Sequence, residues 1–307
     1  MTKTSPSVLA VFLLLSLCFM QRIGAVPVGP VMLEEEQQGE NEVRQPHADK
    51  TIDEIIVDAY GGLEAEEAVE EFRMMVEGVE TEGMDTLLTP EQAAILHNAA
   101  EGGMSKRRLA TFITPWAGRV VPYDISGLPA EHHDMMMEAF REWEMDTCVR
   151  FVSAQPQHQH RIFFSDGNGC SSFLGMTRWS EQPVTLGSAC HTKAVYLHEL
   201  GHALGLVHEH RLPQRDRYIT VDFGNVNPRF VDQFYKYSAS EIPDAEQVTY
   251  NLRSIMHYGK HAFSKDRRLQ TIYAKDKSQE DLMGTSEELT TSDIEVINLL
   301  YNCNGWK

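Results

Sequence analysis

The chain has 307 residues, with 27 Lys+Arg against 45 Asp+Glu, and a formal net charge of −18. That length accommodates one large domain or two small ones. The acidic balance argues against nucleic-acid and anionic-membrane partners, which are held by basic patches.

The N-terminus carries Lys3 and then the apolar run "VLAVFLLLSLCFM", from Val8 to Met20. Gly24 and Ala25 follow as small residues before Val26. This pattern reads as a secretory signal peptide ending near Ala25, so the mature protein is expected outside the cell. No later stretch is long and apolar enough to predict a membrane-spanning helix. Cys18 leaves with the signal, and Cys148, Cys170, Cys190 and Cys303 remain. Four cysteines in an exported chain suggest two disulfides, with three pairings open. None has CxxC spacing, so a cysteine-ligated zinc is not expected.

Residues 26–50 lack hydrophobic periodicity and read as disordered. From Val26 to Arg108 there are 20 acidic against 6 basic residues, a net charge of −14. The following stretch, 51–78, is partly helical, with Ala68, Phe72 and Val76 at four-residue spacing. "LLTPEQAAILHNAAEGG" predicts a short helix with Pro90 in its first turn and Gly102–Gly103 ending it. "SKRR", Ser105 to Arg108, is a basic cluster between this acidic block and a better-patterned region, where a processing protease can reach it.

Beyond Arg108 the texture changes. "RVVPYDI", "CVRFV", "RIFF" and "QPVTLG" read as short strands. "PAEHHDMMMEAFREWEMDTC" reads as an amphipathic helix with Met136, Phe140 and Trp143 on one side. "HTKAVYLHELGHALG" is a helix that Thr192 can cap. "TTSDIEVINLLYN" is a last helix, with Ser292 and Glu295 at capping-box spacing. Early strands flanked by helices make the fold class α+β.

The densest chemistry lies in "HELGHALGLVHEH", His198 to His210. His198 and His202 are four residues apart, so a helix stacks them on one face within reach of one ion. Glu199 is rotated off that direction but close enough to hold a water beside the ion. Gly205 can end the helix in the left-handed conformation, and a turn there swings His208 back. Three neutral imidazoles then bind zinc and leave a position open for water. His210 is not needed as a ligand and is placed at the surface. Further on, "SIMHYG", Ser254 to Gly259, supplies Met256 and Tyr258.

The extended motif H-E-x-x-H-x-x-G-x-x-H followed by a methionine turn resembles the metzincin peptidases. Glu209 directly after the third histidine, together with the "SIMHYG" tyrosine, narrows the resemblance to the astacin family, over about residues 109–305. The resemblance implies a two-lobed catalytic domain with a mixed sheet and an active-site helix, preceded by a propeptide. It divides the chain into a signal peptide (1–25), an acidic propeptide (26–108) and an astacin-like catalytic domain (109–307). It implies a secreted zinc endopeptidase acting on proteins or peptides as a monomer, with one zinc per chain bound by His198, His202 and His208. Glu199 is then the general base, Met256 the apolar floor below the metal, and Tyr258 the residue that stabilises the tetrahedral intermediate. Glu209 is implied to meet the mature N-terminus, and Cys148–Cys303 and Cys170–Cys190 are the implied disulfides. "EGMDTLLTPEQ" resembles the propeptide stretch that carries a zinc-blocking aspartate, here Asp85, with an activating protease cutting at the basic cluster near Arg108.

The chain departs from the family pattern at four places. Leu212 and Gln214 stand where Arg and Asp are usual, although Arg215 and Asp216 match. Ser171 follows Cys170 where an aromatic is common, which bears on a substrate subsite. Met84 precedes Asp85 where Gly is usual. A binding protein on an inactive peptidase scaffold is disfavoured by the presence of Glu199 and all three ligands. A matrix-type metalloprotease is disfavoured by Glu209 and by the absence of a propeptide cysteine.

Overall fold

A computed structural model describes residues 80–81, 85–100, 112–242, 244–266 and 268–303. All of them belong to one compact unit, Pro46–Lys307. The signal peptide, residues 26–50, the helix expected over 51–78, Gly102–Gly103, the basic cluster and the junction at residues 108 and 109 lie outside the described residues.

The first elements are β1 (Glu80–Thr81), β2 (Thr86–Leu88) and the helix α1 (Pro90–Ala100). Proline at the first helical position is favoured because its missing N–H would have no partner there. Four further strands follow around a helix: β3 (Val120–Gly127), α2 (His133–Met145), β4 (Arg150–Ser153), β5 (Arg161–Ser165) and β6 (Cys170–Phe173). Then come β7 (Glu181–Leu186) and α3 (Lys193–Leu204). After α3 regular structure thins to β8 (Ile219–Val221), β9 (Ile272–Ala274), several single 3-10 turns and α4 (Thr291–Leu300).

Among the described residues, seven strands form one mixed sheet in the order β1-β2-β6-β7-β5-β3-β4. Strands β3, β4, β5 and β7 run parallel, while β6 is antiparallel to β7. β2 adds to the far side of β6 in parallel register, Thr86 opposite Ser172 and Leu87 opposite Phe173. β8 and β9 make a separate antiparallel pair. The α+β class and the mixed sheet are therefore present. β2 and β6 were not evident as strands, because "TLL" runs into a helix signal and "CSSF" holds two serines of poor strand propensity. Their pairing partners supply what local propensity lacks.

α2 lays Met136, Ala139, Phe140 and Trp143 into the core. The Phe140 ring stacks on Phe151 at 4.4 Å and tilts against Tyr123 and Phe164. Trp143 Nε1–H donates to the Leu197 carbonyl at 3.3 Å, which ties α2 to α3. Burying each such aromatic is worth roughly 2–3 kcal/mol, so this face sets the platform for α3.

α3 begins as expected, with Thr192 Oγ1 accepting from the Val195 N–H at 3.2 Å. It ends at Gly205, whose φ of 109° lies in the left-handed region. A Cβ at Gly205 would lie 2.6 Å from Ile113 and 2.9 Å from Leu300, so packing as well as φ requires glycine there. α4 differs from expectation. The capping pair is Thr290 and Asp293, not Ser292 and Glu295: the Asp293 carboxylate accepts from the Thr290 N–H at 2.8 Å and its hydroxyl at 2.6 Å. Asp293 wins because its other donors, Ser254 Oγ and the Ile255 N–H, come from a distant loop.

Cys148 is bonded to Cys303, closing 155 residues, and Cys170 to Cys190, closing 20. The chain-entropy relation assigns about 5 kcal/mol to the longer loop and about 3 kcal/mol to the shorter. Replacing Cys148 and Cys303 by serine should thus cost roughly 2 kcal/mol more in denaturant unfolding than replacing Cys170 and Cys190. A smaller loss for the long loop would contradict the entropic account.

Candidate metal centre

Three imidazoles meet because α3 and the turn after it place them. His198 and His202 occupy successive turns of α3, and the Gly205 reversal returns the chain so that His208 faces both. All three are buried. His198 Nδ1–H donates to the Ile255 carbonyl at 2.8 Å, and His202 Nδ1–H donates to the Leu206 carbonyl at 2.9 Å. A carbonyl only accepts, so the proton of each neutral ring sits on Nδ1 and the Nε2 lone pair points inward. Burial pushes His208 down to about 3 and also lowers His202, which disfavours a second proton on either ring.

A fourth group enters from the acidic N-terminal block. Asp85 Oδ2 lies 3.1 Å from His198 Nε2, 3.0 Å from His208 Nε2 and 3.7 Å from His202 Nε2. The four ligand atoms fall within 4.8 Å of one another. Three inward lone pairs and a carboxylate are all acceptors, and acceptors this close repel unless a cation lies among them. Three neutral imidazole nitrogens and one carboxylate oxygen suit tetrahedral zinc. The residues present therefore fit the metal that the family implies.

Glu199 is fully buried, and neither of its oxygens has a hydrogen-bond partner among the described residues. Burial, with the Asp85 charge beside it, pushes the Glu199 carboxyl well above its ordinary value. A buried carboxylate without a partner is unfavourable unless a proton or a water satisfies it, which is the state of a group that trades protons.

The loop carrying Met256 lies beneath α3. A Cβ at Gly201 would sit 2.7 Å from Met256 Sδ, so glycine lets the helix rest on the thioether. The Met256 carbonyl accepts from the Glu209 N–H at 2.9 Å, and the Ile255 carbonyl orients His198. Asp293 anchors this loop by accepting from Ser254 Oγ at 2.6 Å and the Ile255 N–H at 3.2 Å. Sequence reading missed that role; the only signal was an acidic residue in the first turn of the last helix. The Tyr258 ring centroid is 4.5 Å from that of His208.

His210 is not at the surface. It is buried, stacks on Tyr258 at 4.0 Å and 24°, and donates from Nε2 to the Gln233 carbonyl at 2.8 Å. The polar stretch turns inward as a 3-10 turn, Glu209–Arg211, all three residues of which are buried. Glu209 is buried as well; its Oε1 accepts from the Asn251 N–H at 2.7 Å, and burial pushes it up to about 8. It lines a cavity of about 140 Å³ with Phe112, Ile113, Asp293 and Leu300.

The departures find local substitutes. Leu212 packs against the core, and buried Gln214 Nε2–H donates to the Ala245 carbonyl at 2.6 Å. Arg215 reaches the His210 carbonyl at 2.8 Å, and Asp216 accepts from both Arg215 and Lys236. Ser171 is buried, and its Oγ has no partner among the described residues.

The profile of the Astacin peptidase family matches residues 109–302. The chain is 32% identical over 230 residues to Protein SpAN of Strongylocentrotus purpuratus, covering 72% of this chain and 37% of that protein. It is 34% identical over 230 residues to Blastula protease 10 of Paracentrotus lividus, covering 72% of this chain and 38% of that protein. The chain thus spans less than two fifths of the length of these relatives. Among solved structures it is similar to high choriolytic enzyme 1, a hatching enzyme zinc-protease from Oryzias latipes. That likeness has a TM-score of 0.56 and 28% identity, covering 62% of this chain and 94% of that one. With the profile spanning strands β3 to β9, the histidine helix and the methionine loop, this chain belongs to the astacin family.

Proposed function

We propose that this chain is an exported zinc-dependent endopeptidase, held latent by Asp85 and activated by cleavage at the Lys106–Arg108 cluster. The observation that carries the reading is the convergence of three imidazole Nε2 atoms at one point, beside a buried carboxylate, Glu199, with no partner of its own.

His198, His202 and His208 would hold one zinc ion. Bound there, zinc supplies a Lewis acid that polarises the scissile carbonyl and acidifies water. Glu199, whose carboxylate oxygens have no partner among the described residues, would take a proton from the attacking water and deliver it to the leaving nitrogen. Tyr258, whose ring lies against that of His208, donates its hydroxyl to the developing oxyanion. The substrate is a protein or peptide chain in extended form. Two disulfides accord with an oxidising, extracellular compartment, and no helix among the described residues is long and apolar enough to cross a membrane. The chain acts as a monomer.

Activation is supported by the cavity at Glu209. Cutting after Arg108 leaves Leu109 as the new terminus, three residues ahead of Phe112, which lines that cavity. Three extended residues span about 10 Å. The new ammonium would then compensate a carboxylate that burial otherwise disfavours.

The test is metal content and activity together. Activated protein should contain about one zinc per chain and lose peptide cleavage when a chelator removes it. Tyr258→Phe should lower kcat with zinc content unchanged, because the hydroxyl contributes in the transition state. A metal-free protein that still cleaves peptides would end this reading, and a fully active Tyr258→Phe variant would remove Tyr258 from it.

A further inference from the structure

Four rings among the described residues pack around the Tyr258 side chain. His208 lies at 4.5 Å and 54°, Phe263 at 5.3 Å and 48°, and Phe234 at 6.3 Å and 78°. Of the four, only His210 lies nearly flat against the phenol, 4.0 Å between centroids and 24° between planes. The backbone at Tyr258 is held separately. His257 Nδ1–H donates to the Tyr258 carbonyl at 2.7 Å, while His257 Nε2 accepts from the Tyr250 hydroxyl at 2.7 Å. The freedom left to Tyr258 is therefore rotation about its side-chain bonds, which have more than one favoured setting. A flat wall keeps the phenol parallel to itself and closes off the settings that would cross it.

His210 is itself a fixed wall. Its Nε2–H donates to the Gln233 carbonyl at 2.8 Å, its ring meets that of Phe234 at 5.6 Å and 61°, and its carbonyl accepts from Arg215 at 2.8 Å. The imidazole is fully buried, and Nδ1 has no partner among the described residues. With the proton on Nε2, Nδ1 is an acceptor, and a buried acceptor without a donor costs stability. An apolar ring would avoid that cost, so packing alone gives no reason for a histidine here. The bond to Gln233 does give one, because it sets the plane of the ring.

We propose that His210 is a positioning residue for the reaction: its imidazole, tied to the Gln233 carbonyl, holds the Tyr258 phenol in the plane from which the hydroxyl meets the developing oxyanion. His210 acts through Tyr258 rather than on the substrate. A donor already in place stabilises charge in the transition state without reorganising first. Its misplacement by about 1 Å can cost roughly 10²-fold. Because the hydroxyl contributes in the transition state, the effect falls on kcat rather than on substrate binding.

This inference rests on the peptidase reading and on the role given there to Tyr258, and the experiment separates them. Zinc content, kcat and KM are measured on the activated wild type, His210→Leu, Tyr258→Phe and the double variant. His210→Leu should lower kcat by about 10-fold, with KM within about 2-fold and zinc content unchanged. In the Tyr258→Phe background the same substitution should cost about 2-fold or less, because the hydroxyl it positions is gone. His210→Gln keeps a planar group and an N–H for the Gln233 carbonyl, and should recover kcat to within about 3-fold of wild type. If the leucine variant does not fold, His210→Phe takes its place in the cycle. It retains the aromatic face and loses the tie, and a loss of about 3-fold or more is expected only while Tyr258 is present. An equal loss in both backgrounds, a loss of zinc, an unchanged kcat in His210→Leu, or a glutamine variant as slow as the leucine one overturns the positioning role. A fully active Tyr258→Phe protein removes the role of Tyr258 and that of His210 with it, while the peptidase reading stands. An activated wild type that cleaves no peptide overturns all three.

Discussion

Glu199→Gln in the activated protein is expected to keep its zinc and lose at least ~10²-fold in peptide cleavage, the low end for removing a general base. The substitution is close to isosteric, so α3 and the three imidazoles keep their places. Neither of the Glu199 oxygens makes a hydrogen bond to any described residue, so none holds His198, His202 or His208 in place. What disappears is the ability to take a proton from water and return it to the amine. Burial and the neighbouring Asp85 charge hold the carboxyl well above its ordinary value in the latent chain. Zinc content measured on the same preparation separates a lost base from a lost metal. A glutamine variant that cleaves at the wild-type rate would remove Glu199 from the chemistry.

The second large effect concerns latency. The unprocessed chain should cleave a reporter peptide at a small fraction of the processed rate, and Asp85→Ala should raise that basal rate by roughly 10-fold or more. Asp85 Oδ2 is within 3.0–3.1 Å of His198 and His208 Nε2. Losing the carboxylate removes the oxygen that would stand at the metal in place of water. Only part of the block is lifted, because β2 still pairs with β6 and Leu87 still covers Phe173. Processing at the basic cluster should remove both barriers. An Asp85→Ala chain as latent as wild type would show that Asp85 is not the latch, and an uncut wild type working at the mature rate would refute the zymogen reading.

What the sequence determined by itself was local. The four-residue spacing of His198 and His202, the glycine at 205 and the apolar face of Met136, Phe140 and Trp143 all follow from helix geometry, which repeats every 3.6 residues whatever surrounds it. The metal ligands were legible for that reason, and so were the helices that carry and support them. The methionine loop and the aspartate that meets the imidazoles came from resemblance to a family rather than from periodicity.

Only the tertiary structure decided the rest. Asp85 meets His198 across 113 residues, and no local pattern encodes such a contact. β2 and β6 are short, with weak strand propensity, and become strands because each satisfies the backbone groups of a neighbour distant in sequence. His210 looked like a surface histidine because polarity is a statistical guide to exposure; a single acceptor, the Gln233 carbonyl, and the Tyr258 ring make its burial tolerable. Asp293 overrode the expected cap because its buried carboxylate serves two segments at once, the start of α4 and the loop that orients His198. Periodic spacing within one element survives in the sequence, whereas pairings across the chain exist only once folding has brought their partners together.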